Sequence, residues 1–404
     1  MGTLLADNLV LVMPRGATLR DWDRVGLLRR EWLLSARLSA WFGRVVIVSY
    51  DRTIDAETRL AARELFPAGT RVEFVNNLDG SPLPGFASLA AWKVGELVGT
   101  ASAIIKTEQL TAGQIAIDIR DSIEARGGTA TLLTRGGYLW SRFAAAEHGH
   151  DSEAALSAAR NEAALCREGD MIIGTTSTMV EDLCWRYRVD PQRAAVVPNF
   201  VVTPERVPTA EERDRGLIVT AGHLVSRKRV GVLIEAMSLL DEDLRARATL
   251  EIIGDGPEVP RLERLMEALD VRARVLPVLP HSEMIDKLCR CAVYAQASEF
   301  EGHPKSVIDA MSCGTVVVLA NAPGLDSLVK TGVTGVLVPD PSPAGFANAF
   351  TGILGDPDWC SLLGSAAAEH ARMTFSMDLV VELELAAYAK AIANAAARRA
   401  KKAA

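Results

Sequence analysis

The sequence predicts an α/β protein of two doubly wound domains. Short apolar runs alternate with longer amphipathic segments, a polar stretch with no apolar face divides the chain, and a second alternating series follows it. The chain has 404 residues, and at roughly 150 residues per domain two or three domains are expected. Apolar residues make up 49% and charged residues 24%, which excludes a disordered or collagen-like chain. Aromatic residues are only 5%, so Leu, Val, Ile and Ala must build the core.

In the first half the strand candidates are Asn8–Met13, Val45–Ser49, Val72–Val75, Ala103–Lys106, Thr129–Thr134, Met171–Thr175 and Ala195–Pro198. Each is a short apolar run bounded by turn or polar residues. Helices lie between them, most clearly Trp22–Trp41, Ala56–Leu65 and Asp151–Arg167. Residues Val202–Arg215 carry two prolines and no periodicity, and read as a linker. The second series runs strand Gly216–Ala221, helix Val230–Leu240, strand Thr249–Gly254, helix Val259–Leu269 and strand Val275–Leu279. It continues with helix Ser282–Arg290, strand Val293–Gln296, helix Lys305–Cys313, and strands Val316–Ala320 and Gly335–Val338. Helices Ala344–Gly355, about Ser361–Thr374, and an alanine-rich one from Met377 close the chain. Open parallel sheets bind ligands at the carboxyl ends of their strands, so a nucleotide-sized ligand is expected in a cleft between the domains.

Net charge is −7, so no basic field is expected to hold a nucleic acid. Six cysteines at 166, 184, 289, 291, 313 and 360 have neither disulfide-framework nor zinc spacing, and read as free thiols in a reducing compartment. The first apolar run is short and has no basic segment before it, so it reads as a strand and not a signal peptide. No run approaches the ~18 apolar residues that span a bilayer. A cytoplasmic protein is expected. His148 and His150 form a spaced pair that reads as polar loop, and no metal site is expected.

Chemistry concentrates in three places. Ser298–Gly314 (SEFEGHPKSVIDAMSCG) follows an apolar strand and opens a helix. Gly302 allows close backbone approach, Pro304 suits a helix start, and free backbone N–H groups there favour an anion. Glu301 in the loop and Asp309, expected two turns along the helix, suit the hydroxyls of a ribose or hexose. The plainer alternative is a capping Glu and a solvated Asp. Thr220–Arg229 (TAGHLVSRKR) places Arg227, Lys228 and Arg229 before a helix. Cations are unfavourable there, so a bound diphosphate is one reading and a solvated basic loop the other. Ile252–Glu258 (IIGDGPE) lacks the third glycine of the dinucleotide fingerprint, which argues against a nicotinamide cofactor.

Taken in order, Gly222-His-Leu with Lys228, IIGDGPE, Glu301 followed by Asp309-Ala-Met-Ser-Cys-Gly, and Pro323-Gly324 with Gly332-x-x-Gly335 resemble the family 4 retaining glycosyltransferases of GT-B fold. The match holds through about Leu217–Pro339; the first half matches loosely, though VVPNFV at 196–201 looks like the family's last strand of the first domain. The resemblance implies two Rossmann-like domains facing each other across a deep cleft. Residues 1–202 would bind acceptor, residues 215–375 would bind donor, and helix 376–404 would cross back to complete the first. The basic end of that helix is expected to fray.

It further implies a metal-independent reaction with no cofactor, in which a UDP- or GDP-sugar is the donor. Lys228 would neutralise the diphosphate, with Arg227 or Arg229 as helpers, and Glu301 would hold hydroxyls of the transferred sugar. Gly222, His223, Gly302, His303 and Pro304 would line the pocket, Gly254 and Val278 would lie near the nucleoside, and Asp309 would take the ribose hydroxyls. Retention is expected through same-face attack with no enzyme nucleophile. Two departures stand out: His223 where the family has Arg, and Asp309 where it has Glu, one methylene (~1.5 Å) shorter.

The acceptor, a small molecule, glycan or lipid-linked intermediate, is expected on the first domain. Arg15-Gly16, Lys106 with Gln109, and Arg135 with Tyr138 are candidate contacts, against ordinary loop residues as the alternative. Trp22–Trp41 mixes Arg29, Arg30 and Arg37 with Trp32, Leu33, Leu34 and Leu38. It reads either as a peripheral membrane contact at the inner face or as a helix packed on its own sheet. The competing functions are a nucleotide-sugar-binding homologue without catalysis and a GT-B sugar-nucleotide epimerase.

Overall fold

A computed structural model describes residues 4–24, 27–52, 56–78, 80–204 and 206–403. Strands β1 (Ala6–Val12), β2 (Phe42–Ser49), β3 (Arg71–Asn76), β4 (Ser102–Thr107), β5 (Thr129–Gly136), β6 (Met171–Gly174) and β7 (Ala194–Val196) form one sheet. All are parallel, in the order β3-β2-β1-β4-β5-β6-β7. The second sheet, also parallel, contains β8 (Asp214–Ala221), β9 (Thr249–Ile253), β10 (Ala273–Leu276), β11 (Cys291–Gln296), β12 (Val316–Ala320) and β13 (Val336–Val338). Its order is β10-β9-β8-β11-β12-β13. Leu9, Val10, Leu11 and Val12 are all buried, because helices cover both faces of a parallel sheet and no alternation survives. Both sheets reverse their winding beside their first strand, at β1/β4 and at β8/β11, and such switch points open a crevice at the strands' carboxyl ends.

The chain divides into a first unit, Met1–Pro198 with Val380–Ala404, and a second, Asn199–Leu379. Residues 199–202, expected with the first domain, belong to the second. There the Val201 N–H donates to the Phe375 carbonyl at 2.8 Å and Val201 bridges Ser376. Linker residues 206–213 are tied down as well. Arg206 grips Glu212 with two 2.7 Å bonds, and the Arg213 guanidinium donates to the carbonyls of Cys289, Cys291 and Cys313. The linker's Glu205 lies outside the described residues.

Other boundaries move for local reasons. The third strand of the second series was expected at Val275–Leu279, but β10 stops at Leu276 because Pro277 has no N–H to give the ladder. The helix expected from about Ser361 starts at Pro357, where the Asp356 carboxylate accepts from Trp359 N at 2.9 Å. The region expected as helix Trp22–Trp41 holds helices Leu19–Arg24 and Leu27–Leu38 and a short 3-10 turn Ser39–Trp41. Its Val25 and Gly26 lie outside the described residues. Leu28, Trp32, Leu34 and Leu38 are buried, with Trp32 edge-on to Phe66, so its apolar side is used in packing. Among the described residues no helix is long and apolar enough to cross a membrane. The six cysteines are free, with Cys166, Cys291 and Cys313 buried.

The final helix, Met377–Ala403, is held through its length. Glu384 is fully buried and accepts from Lys106 at 3.0 Å, with Arg135 at 3.5 Å. The basic end is not frayed: Arg398 binds Asp170 and Glu124 at 2.8 Å each, and Arg399 donates to the Ala130 carbonyl. Removing one partner of a buried pair strands the other charge. Glu384→Ala is therefore expected to lower unfolding free energy by about 3–5 kcal/mol in urea titrations, and Lys106→Met with Glu384→Leu to recover most of it. A loss under about 1 kcal/mol for the single variant would show that the pair does not hold the helix.

Candidate functional site

At the β8/β11 switch point two loops meet. The loop after β8 is laced to the loop after β9: Gly222 N donates to Ile253 O at 3.0 Å, Leu224 N to Asp255 O at 2.9 Å, and Glu258 N to Leu224 O at 3.1 Å. His223 Nδ1–H donates to Asp255 O at 2.7 Å. This close approach requires glycine. Gly254 has φ 148°, and a Cβ there would lie 2.0 Å from the Gly222 carbonyl oxygen.

Ser226–Lys228 then forms one 3-10 turn, and Arg229, in the left-handed region at φ 49°, leads into helix Val230–Ser238. This turn presents Arg227 and Lys228 to Glu301. Lys228 Nζ lies 2.7 Å, Arg227 Nη1 3.0 Å and Gln296 Nε2 2.8 Å from the same oxygen, Glu301 Oε1. Arg227 also donates to the Phe300 carbonyl at 2.7 Å and stacks 5.2 Å over the Phe300 ring. The backbone fixes the carboxylate from both sides. Glu301 N donates to Pro323 O at 2.8 Å, and a Cβ on Gly324, at φ 81°, would stand 2.2 Å from Glu301 O.

Burial pushes the Glu301 carboxyl up, but the charges of Lys228 and Arg227 and hydrogen bonds from Lys228 and Ser298 outweigh it and hold the group below its ordinary value.

Helix Lys305–Ser312 follows, with Pro304 as its cap residue and not inside the first turn. Asp309 is about one turn in, where two were expected, and is 3% exposed. Its Oδ2 lies 3.4 Å from His281 Nε2, on the first residue of helix His281–Arg290. The Tyr294 hydroxyl is 2.7 Å from Ser306 Oγ, on the same helix as Asp309, and 3.2 Å from the Ala221 carbonyl. Burial, and less strongly both carboxylates, push the Tyr294 phenol up.

The structure thus brings Lys228, Arg227 and Glu301 to one point, with Gly222 against Lys228: a Cβ there would be 3.3 Å from Nζ. His303 is buried, its carbonyl accepting from Asn199 at 2.8 Å and its ring 5.2 Å from Phe375. Gly302 is half-buried, and Val278 and His223 are exposed. Sequence reasoning missed Gln296, Tyr294, Ser306 and His281. The signal available for Gln296 was a polar side chain ending an apolar strand.

In the first unit the expected acceptor residues separate. Lys106 and Arg135 are buried against Glu384. Gln109 Oε1 accepts from Gly137 N at 2.9 Å, and Tyr138 packs on Trp140 and Phe143. Gly16 lines a cavity of about 580 Å³ at the carboxyl ends of β1, β2 and β3, with Tyr50, Arg52, Asn77 and Ser81. Arg15, exposed beside it, partly offsets the burial that pushes the Tyr50 phenol up to about 12. Among the described residues no group of three or more His, Cys, Asp or Glu is placed to hold a metal ion.

The lowered Glu301 carboxyl has a consequence for stability. A group depressed in the folded state contributes stability that is full above its unfolded value, near 4.5, and is lost as pH falls through the folded one. Urea midpoints of wild type are expected to fall more steeply below pH ~4.5 than those of Glu301→Gln; parallel curves would contradict this.

Residues 202–370 match the family model "Glycosyl transferases group 1". The chain is 31% identical over 245 residues to D-inositol 3-phosphate glycosyltransferase of Streptomyces bingchenggensis, covering 55% of this chain and 53% of the relative. It is 32% identical over 250 residues to the Geodermatophilus obscurus protein of that name, covering 57% and 54%. The chain thus spans about half the length of these curated relatives. Among solved structures, Anabaena HepE in complex with UDP and glucose superposes with TM-score 0.70 at 17% identity, over 93% of this chain and 97% of that one. Sucrose-phosphate synthase from Thermosynechococcus elongatus does so with TM-score 0.71 at 17% identity, over 96% and 99%. Residues 202–370 of this chain thus match the glycosyl transferases group 1 model, and the whole chain shares the two-sheet GT-B fold of these solved structures.

Proposed function

We propose that this chain transfers a hexosyl-type sugar from a nucleoside diphosphate sugar to a small-molecule, glycan or lipid-linked acceptor. Anomeric configuration is retained and no metal ion takes part. The observation that carries the proposal is the Lys228–Glu301–Arg227 cluster at the β8/β11 switch point, inside the segment that matches the group 1 model.

The chemistry follows from charge. Two cations meet at one carboxylate. As the bond from sugar to phosphate breaks, negative charge grows on the leaving diphosphate. Fixed cations and the N–H groups opening helix Lys305–Ser312 stabilise it without a metal. Glu301 stays ionised and its Oε1 already accepts three donors. It is therefore suited to orienting a sugar hydroxyl and is a poor covalent nucleophile, in keeping with same-face attack and unlike the two-carboxylate logic of retaining glycosidases. Gly222, Gly254, Gly302, His303 and Pro304 line the donor, Asp309 takes the ribose, and UDP or GDP is the carrier. HepE is named as binding UDP and glucose. The first-unit cavity at Gly16, Tyr50, Arg52, Asn77 and Ser81 receives the acceptor. Because the relatives are named for D-inositol 3-phosphate, that compound belongs among the acceptors assayed. The setting is cytoplasmic, reaching the inner membrane face where the acceptor is lipid-linked.

A thermal-shift panel of UDP-, GDP-, ADP- and dTDP-sugars is expected to show one carrier stabilising the fold, by about 2.7 kcal/mol at one hundred times its dissociation constant. Lys228→Ala and Glu301→Ala are each expected to lower nucleotide release with acceptor by about 10²–10³-fold, while a chelator leaves the wild-type rate unchanged. A wild type that binds donor and never turns it over with any acceptor is a binding protein and not a transferase.

A further inference from the structure

Three of the six cysteines meet at one guanidinium. Arg213 Nη1 donates to the carbonyls of Cys289 at 3.0 Å and Cys291 at 3.2 Å, and Nη2 donates to that of Cys313. Cys289 lies in the last turn of helix His281–Arg290, and Cys313 is the cap residue that ends helix Lys305–Ser312. The sulfurs of these two meet as well. Cys313 Sγ stands 3.9 Å from the Ile285 carbonyl, one turn before Cys289 on its own helix, and its S–H hydrogen-bonds the Cys289 sulfur. Cys291 is engaged elsewhere, its thiol donating to the Leu288 carbonyl at 3.4 Å.

The two thiols differ in access and in ease of ionisation. Cys289 is half-buried and Cys313 fully buried, so a reagent arriving from solvent meets Cys289 first. The hydrogen bond from Cys313 pulls the Cys289 thiol below its ordinary value, and the Arg213 charge adds to this against burial and Asp286. Cys313 is pushed up by the same hydrogen bond and by burial. Burial also pushes up the thiols of Cys166, Cys184, Cys291 and Cys360, as befits cysteines that fill space as small apolar groups. An accessible, readily ionised thiol with a second thiol behind it is the arrangement of an attacking and a resolving cysteine.

We propose that Cys289 and Cys313 are a modification site for low-molecular-weight disulfides of the glutathione class, closing to a disulfide between two helices. The Cys289 thiol loses its proton to solvent and attacks one sulfur of the reagent. The reagent's S–S bond breaks, a mixed disulfide forms on Cys289, and the first reagent thiolate leaves and takes up a proton. Cys313 then gives up its proton and attacks the Cys289 sulfur, and the second reagent thiolate leaves and is protonated in turn. Two protein thiols are thereby oxidised to one disulfide, and one reagent disulfide is reduced to two thiols. In a reducing compartment such a bond is transient and senses the thiol balance. It joins the helix that follows the Glu301 loop to its neighbour and leaves Lys228, Arg227 and Glu301 untouched, so it stands or falls apart from the proposed transfer.

The test incubates the full chain, reduced and freed of reductant, with glutathione disulfide, followed by an acid quench and tryptic mass mapping. Trypsin cuts after Lys287, Arg290, Lys305 and Lys330, which puts Cys289, Cys291 and Cys313 on separate peptides. Wild type is expected to yield peptide 288–290 linked to peptide 306–330, and dithiothreitol to release it. Cys313→Ser is expected to stop with one glutathione on Cys289. Cys289→Ser, at a half-buried position, is expected to keep the wild-type circular dichroism melt and to consume glutathione disulfide about tenfold more slowly, since the thiolate is the attacking species. A folded wild type that gives no 288–290 to 306–330 link overturns the proposal. So does glutathione found first on Cys184 or Cys360, or a Cys289→Ser protein that reacts as fast as wild type.

Discussion

One carboxylate oxygen organises the second unit's working surface. Glu301 Oε1 accepts from Lys228, Arg227 and Gln296, which come from the loop after β8 and the end of β11. Those two strands are neighbours in the sheet but lie far apart in sequence, so the bonds close the switch point where the sheet's winding reverses. An ion pair this buried does little for stability by itself, since desolvation cancels much of the attraction. Its consequence is geometric: two cations and a carboxylate are held at one place by fixed bonds.

The backbone enforces this aim. Gly254 lets the loops after β8 and β9 touch, carbonyl to Cα, and Gly324 lets the loop after β12 press on Glu301 itself. Arg229 accepts a left-handed conformation that few side chains adopt, and the reversal it makes turns the preceding Arg227 and Lys228 toward the carboxylate. Each of these positions gives up local ease, two for a close approach and one for a left-handed turn. Such sacrifices gather at functional sites, where the surrounding structure holds the strain in place.

Much of this was legible in the sequence and the rest was not, for identifiable reasons. The alternation of apolar runs and amphipathic helices gave the strands, because both sheets are parallel and buried on both faces. Lys228 and Glu301 were legible because each follows an apolar strand within a few residues, beside glycines. Lys106 and Arg135 carry the same local signature and meet a buried partner that the pattern does not show, Glu384, 278 residues from Lys106. Local pattern shows that a polar group leaves a strand end and not what it meets. His281 and Tyr294 were passed over for the opposite reason. One opens an ordinary amphipathic helix and the other sits inside an apolar strand, and only the fold reveals that they meet Asp309 and Ser306 on one helix.

The two units therefore stand differently toward chemistry. In the second, charged side chains at the strand ends converge on each other and remain at the site. In the first, Lys106, Arg135 and Asp170 are committed to anchoring the last helix through Glu384 and Arg398, and the buried Asp51 after β2 accepts from Leu19 N and Ser49 Oγ. What the first unit presents at the ends of β1, β2 and β3 is a cavity rimmed by Gly16, Tyr50, Arg52, Asn77 and Ser81, all on loops. Loops can change sequence without disturbing the sheet beneath them. The second unit's cluster is thus fixed by backbone contacts, whereas the first unit's rim is carried on loops whose side chains can vary above an unchanged sheet.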